Sequence, residues 1–129
     1  MMNDHEKHLP NFLLKERRER ARYLLQKKRG DFTKLLNHPR VFDARFLHKV
    51  EPHLQTPKHI ASILRERAGD VPCYLISSDL ELDQQTMPIE EALEQVVGYG
   101  AGTFASVLPG KLGYLETEDA GERFFVYRT

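Results

Sequence analysis

Apolar positions in the second half of the chain change period partway along. Ile89, Ala92, Leu93, Val96 and Val97 recur at i, i+3, i+4, i+7 and i+8, the pattern of a helix with one buried face. Pro88 opens that helix, and Glu90 and Glu91 occupy its first turn, where the helix dipole favours carboxylates. Gly98 ends it. Beyond the glycines, Thr103–Leu108 and Lys111–Glu116 flank Pro109-Gly110, a dipeptide suited to a tight turn. Another turn over Asp119–Gly121 leads into Arg123–Arg128. The pattern predicts a helix over 88–97 followed by a three-stranded antiparallel meander.

Upstream the helical period dominates. Leu13, Leu14, Ala21, Leu24 and Leu25 share one arc, predicting an amphipathic helix from Pro10 to Arg29 that Gly30 terminates. Asp31 is placed to cap a short helix carrying Phe32, Leu35 and Leu36, ended by His38-Pro39. Phe42, Phe46, Val50 and Leu54 give a weaker helical spacing, broken near Glu51 by Pro52. Thr56-Pro57 is a better start, a capping threonine before a proline; Ile60, Ile63, Leu64 and Ala68 form the stripe and Gly69 the stop. Val71–Ser77 reads as a buried strand, and Asp79–Asp83 as a short strand or an extended loop. Residues 1–8 are polar and expected to fray.

Together these elements predict an α+β fold in a single domain spanning 1–129. N-terminal helices precede an antiparallel sheet of about four strands (71–77, 103–108, 111–117, 122–128) with a helix at 88–97, and the helices cover one face of the sheet.

Composition narrows the function classes. No apolar run approaches the roughly 20 residues that span a bilayer, so no membrane partner is expected. The charged N-terminus lacks a secretory signal. A single cysteine, Cys73, points to a reducing compartment, and the cytoplasm is the expected location. The net charge of zero conceals a division: residues 1–70 hold 16 Lys/Arg against 9 Asp/Glu, and residues 71–129 hold 3 against 10. Three readings follow: two halves packed with complementary fields, a basic surface for an anionic partner, or head-to-tail self-association.

The charged clusters carry the candidate chemistry. On a continuous helix Lys15, Arg18, Arg22 and Arg29 would fall within about 60° of one another, with Lys28 beside them, a ridge able to meet several phosphates. No helix-turn-helix or RNA-binding signature accompanies it. Asp79, Glu81, Asp83 and Glu90 are spaced as in a calcium loop, but Gln84 stands where that loop needs glycine. The run Gln95–Gly100 has the pattern Q-x-x-G-x-G, in which it resembles the pyrophosphate loop of the acetyl-CoA-dependent N-acetyltransferases. That loop leads from a strand into a helix N-terminus, where amides are free to meet phosphate. Here the glycines follow a helix, so they read as its terminator, and no cofactor is expected. Cys73, among apolar neighbours, reads as a small buried hydrophobe.

The expectation is a small non-catalytic interaction or regulatory protein, with a basic helical half and an acidic sheet half, whose partner is a protein or a second copy. The alternatives are a nucleic-acid-binding module using the basic helix, and a metal-dependent enzyme using the carboxylates at 79–90.

Overall fold

A computed structural model describes residues 3–119 and 121–128. Its centre is an antiparallel sheet of six strands: β1 (Leu47–Lys49), β2 (Pro72–Ser77), β3 (Thr86–Pro88), β4 (Thr103–Leu108), β5 (Leu112–Glu116) and β6 (Arg123–Tyr127). They lie in the order β1-β6-β5-β4-β2-β3. The meander β4-β5-β6 and the strand at 72–77 are where the alternation placed them. The two additional strands are three-residue edges, and Pro88 blunts one of them by removing a ladder donor. The fold is α+β.

Helices cover both faces, not one. α1 (Asp4–His8), α2 (Arg18–Lys27) and α3 (Arg29–Leu35) lie on one side; α4 (Pro57–Ala68) and α5 (Ile89–Val96) lie on the other. Tyr74, Ile76, Phe104, Leu115 and Val126 point from the strands toward Phe12, Leu36 and Phe42 of the N-terminal layer. The alternate residues Cys73, Leu75, Ala105 and Tyr114 meet Ile60, Leu64, Leu93 and Val96. The reason is visible in β2, where every residue from Cys73 to Ile76 is buried. An unbroken apolar run has no wet side, so it requires cover above and below. Phe12, Leu36 and Phe104 are almost fully buried, and each such side chain contributes roughly 2 kcal/mol on leaving water.

The N-terminal layer departs most from its expected form. In place of one helix over 10–29, Leu9–Phe12 and Lys15–Arg17 are 3₁₀ turns separated by extended Leu13 and Leu14. Leu13 bridges Phe42, and the amides of Leu14 and Asp43 donate to Val41 and Phe12 carbonyls at 3.0 and 2.9 Å. This pairing with a distant segment overrides the local helical period. The helix breaks at Lys28 (φ −142°, ψ 64°), and Gly30 sits inside α3 rather than ending α2. Likewise 41–54, expected to be helical, supplies 3₁₀ turns and edge strand β1. Within 1–8, where fraying was expected, Asp4–His8 form α1, capped by Asn3 and with Glu6 buried; Met1 and Met2 lie outside the described residues. Thr56 caps α4 as read, its hydroxyl accepting from the His59 amide at 3.2 Å.

Candidate functional site

Two buried charge clusters and one open groove hold most of the polar chemistry. The first cluster ties α1, α3 and the 79–84 turn to β2. Glu6 Oε1 accepts from Arg29 Nη1 at 2.6 Å, and Glu6 Oε2 accepts from the Tyr74 hydroxyl. Arg29 donates Nε and Nη2 to the two oxygens of Asp83 at 2.6 and 2.9 Å, the forked pairing that suits a guanidinium and a carboxylate. Asp83 Oδ1 also accepts from the Ser77 amide at 3.0 Å. His5 stacks on the Tyr74 ring and places Nδ1 2.7 Å from Ser106 Oγ. Beside the cluster lies a cleft of about 550 Å³, reached by Asn3, Lys27 and Gln84. Gln84 holds φ at 67°, a left-handed conformation that side chains other than glycine adopt at a cost. Its amide is fixed on the Leu75 carbonyl at 2.8 Å.

This cluster is a stitch, because all four carboxylate oxygens already have partners. Desolvation and the bond to Glu6 push the Tyr74 phenol up to about 12, so it is a neutral donor near neutral pH. Hydrogen bonds and charge from Asp83 and then Glu6 raise the already high pKa of Arg29 against the opposing effect of burial; its side chain is 22% exposed. Arg29, expected on an open basic ridge, is therefore an internal ion-pair partner.

The second cluster lies where the Q-x-x-G-x-G run ends α5. Gly98 and Gly100 have φ of 93° and 72°, a conformation open to glycine. It turns both amides onto Glu116 Oε2, at 2.9 and 3.0 Å. Glu116 is fully buried. Its Oε1 accepts from Tyr114 at 2.6 Å and lies 3.2 Å from Arg123 Nε, in ion contact but not aligned as a hydrogen bond. Arg123 Nη1 continues to Gln55 Oε1 at 2.8 Å. The glycine amides do hold an anion, supplied by the chain's own β5. The glycines thus do more than terminate α5: two positive-φ residues form an anion-binding concavity.

The sequence-predicted ridge is dispersed. Lys15 lies in a 3₁₀ turn before α2, Arg18 reaches the Leu13 carbonyl at 3.2 Å, Arg22 is exposed on α2, and Lys28 and Arg29 stand at the helix break. The carboxylates at 79–90 do not converge either. Asp79 accepts from the Glu81 amide at 2.9 Å, Asp83 is held by Arg29, and Glu90 pairs with Arg65. Among the described residues no three His, Cys, Asp or Glu side chains are grouped to hold a metal ion. Cys73 is buried, and desolvation pushes its thiol up to about 12.

A different basic surface appears instead. Two adjoining hollows of about 300 and about 420 Å³ share Arg17, Leu35 and Val41. Leu13, Ala21 and Leu24 floor the first; Arg20 stands on its rim, and His38 and Arg40 line the second. Arg17, Arg20 and Arg40 are exposed, and among the described residues none forms an ion pair. Arg20 lies over the Tyr23 ring at 5.3 Å. The sequence reading missed this groove because Arg17 and Arg40 come together only through the pairing of Leu13 with Phe42.

Compared with protein-family models, with curated proteins and with solved structures, the chain finds no match. No helix among the described residues is long and apolar enough to cross a membrane.

Proposed function

We propose that the chain is a non-catalytic interaction protein whose N-terminal layer receives an acidic, leucine-bearing segment of a protein partner. The observation carrying this reading is the convergence of Arg17, Arg20 and Arg40, none in an ion pair among the described residues, on two adjoining hollows, the first with an aliphatic floor. Cations on the rim select and orient an acidic segment, while the floor accepts an aliphatic anchor. The charge division supports the same conclusion. Of the seven ion pairs among the described residues, Arg29–Asp83 and Arg65–Glu90 alone join residues 1–70 to residues 71–129. Among the described residues, most of the opposing charge is therefore not joined in direct ion pairs between the two halves.

Nucleic acid suits the groove less well. The floor is aliphatic where base stacking needs aromatic rings, and the nearby Tyr23 ring already has Arg20 stacked over it at 5.3 Å. Amide chemical-shift mapping tests the choice. An acidic peptide containing leucine should move resonances of residues 13–24 and 35–41 more than a DNA oligonucleotide of equal charge. Larger or equal shifts with DNA would reverse the assignment.

A further inference from the structure

The groove has an unusual complement on the same molecule. Leu80 is 88% exposed, the most exposed large apolar side chain among the described residues, and it stands between the exposed acids Asp79 and Glu81. A leucine so placed buries little apolar area within its own fold. The turn that carries it is rigidly built. The Asp79 amide donates to Ser77 Oγ at 3.0 Å, the Asp79 side chain accepts from the Glu81 amide at 2.9 Å, and the amides of Leu82 and Asp83 donate to the Asp79 carbonyl at 3.0 and 2.9 Å. Arg29 then clamps Asp83. Little conformational entropy remains to be lost on docking.

We infer that the Leu80 turn of one copy docks in the Arg17–Arg20 groove of a second copy, with Leu80 on the aliphatic floor and Asp79 and Glu81 against the arginines. This names the partner of the groove and so rests on the reading above. The turn is tied to Arg29, just past the C-terminal end of α2, whereas Arg17 and Arg20 stand at the N-terminal end of that 10-residue helix, roughly 15 Å long. The contact is therefore heterologous: each copy offers a turn at one end and a groove at the other, and copies add head to tail. One turn in one groove is a small interface, so the association is weak and salt-sensitive.

Sedimentation velocity of the full chain, at low and at high salt, tests this. The weight-average mass should rise with concentration toward ~1 mM, in the range of weak complexes, and the rise should shrink with added salt. Leu80→Asp, or Arg17→Glu with Arg20→Glu, should weaken association at least ~10-fold. All three positions are exposed, and unchanged thermal unfolding would confirm that the variants fold. The decisive arm mixes the two variants. An intact groove on the Leu80→Asp chain and an intact turn on the double variant leave one usable contact, so the mixture should stop at a 1:1 dimer. A chain that stays monomeric throughout, or association indifferent to both variants, overturns the inference. If that monomer still binds an acidic leucine peptide, the groove reading survives alone; if it does not, both fall.

Discussion

Arg29 and Asp83 are 54 residues apart in sequence and meet through two hydrogen bonds, 2.6 and 2.9 Å long. Their pairing fixes the break after α2 against the turn that follows β2. Asp83 has side-chain exposure of 8%, so removing Arg29 leaves a carboxylate with little access to water. Arg29→Ala should destabilise the fold by roughly 3 kcal/mol. A double-mutant cycle with Asp83→Asn, read by urea unfolding, should show strong coupling; additive losses would mean that the pair is incidental.

Glu116 gives a second stability test. Glu116→Ala strands two glycine amides, the Tyr114 hydroxyl and a buried guanidinium, and should cost about 3 kcal/mol. Glu116→Gln keeps one acceptor and the shape of the side chain, so its loss should be distinctly smaller. Equal losses would show that charge and acceptor number do not matter there.

How far these clusters were legible follows from what defines them. The helices at 57–68 and 89–96 and the meander carry their own caps, turns and periods, and they stand where the sequence placed them. The N-terminal layer does not. Leu13 and Leu14 fit a helical arc, yet they are spent on pairing with 41–43, a tertiary contact that no local period reports. Cover on both faces could have been read from Cys73–Ile76, a run with no polar alternate. Arg29 stood out as a cation, but its two carboxylates lie 23 and 54 residues away. The glycine run was recognised, whereas Glu116, which gives it meaning, was not.

Stability should fall on mild acidification because of two histidines. His5 is held below its ordinary 6.5 by burial, against the opposing pull of Asp4; His48 is held down by burial and then by Arg67. Such imidazoles take up a proton more readily in the unfolded chain. Their contribution is complete above about pH 6.5 and is lost as pH falls through the lowered values. Asp43, held low by Arg45, and Glu90, held low by its own backbone amide and by Arg65, act only below their ordinary 3.8 and 4.5. The loss between pH 6.5 and 4.5 is therefore assigned to the histidines. His5→Gln and His48→Phe should each flatten it in denaturant titrations, and an unchanged slope in both would remove the assignment.

Gly113 tests the sheet's packing. A Cβ there would lie 2.5 Å from the Phe104 ring and 2.7 Å from the Ala105 carbonyl oxygen. Gly113→Ala should destabilise by roughly 2 kcal/mol, as overpacked cores do. A melting temperature equal to that of the parent would show that β4 and β5 can move apart freely.

The groove itself is tested most directly by fluorescence anisotropy. A labelled acidic peptide bearing one leucine is titrated with the parent protein and with the Arg17→Glu, Arg20→Glu variant, using an oligonucleotide of equal charge as competitor. Saturable binding is expected, weakened at least ~10-fold by the charge reversal and poorly displaced by the oligonucleotide. Equal affinity for the parent and the charge-reversed chain, or no binding even at low salt, would contradict the account.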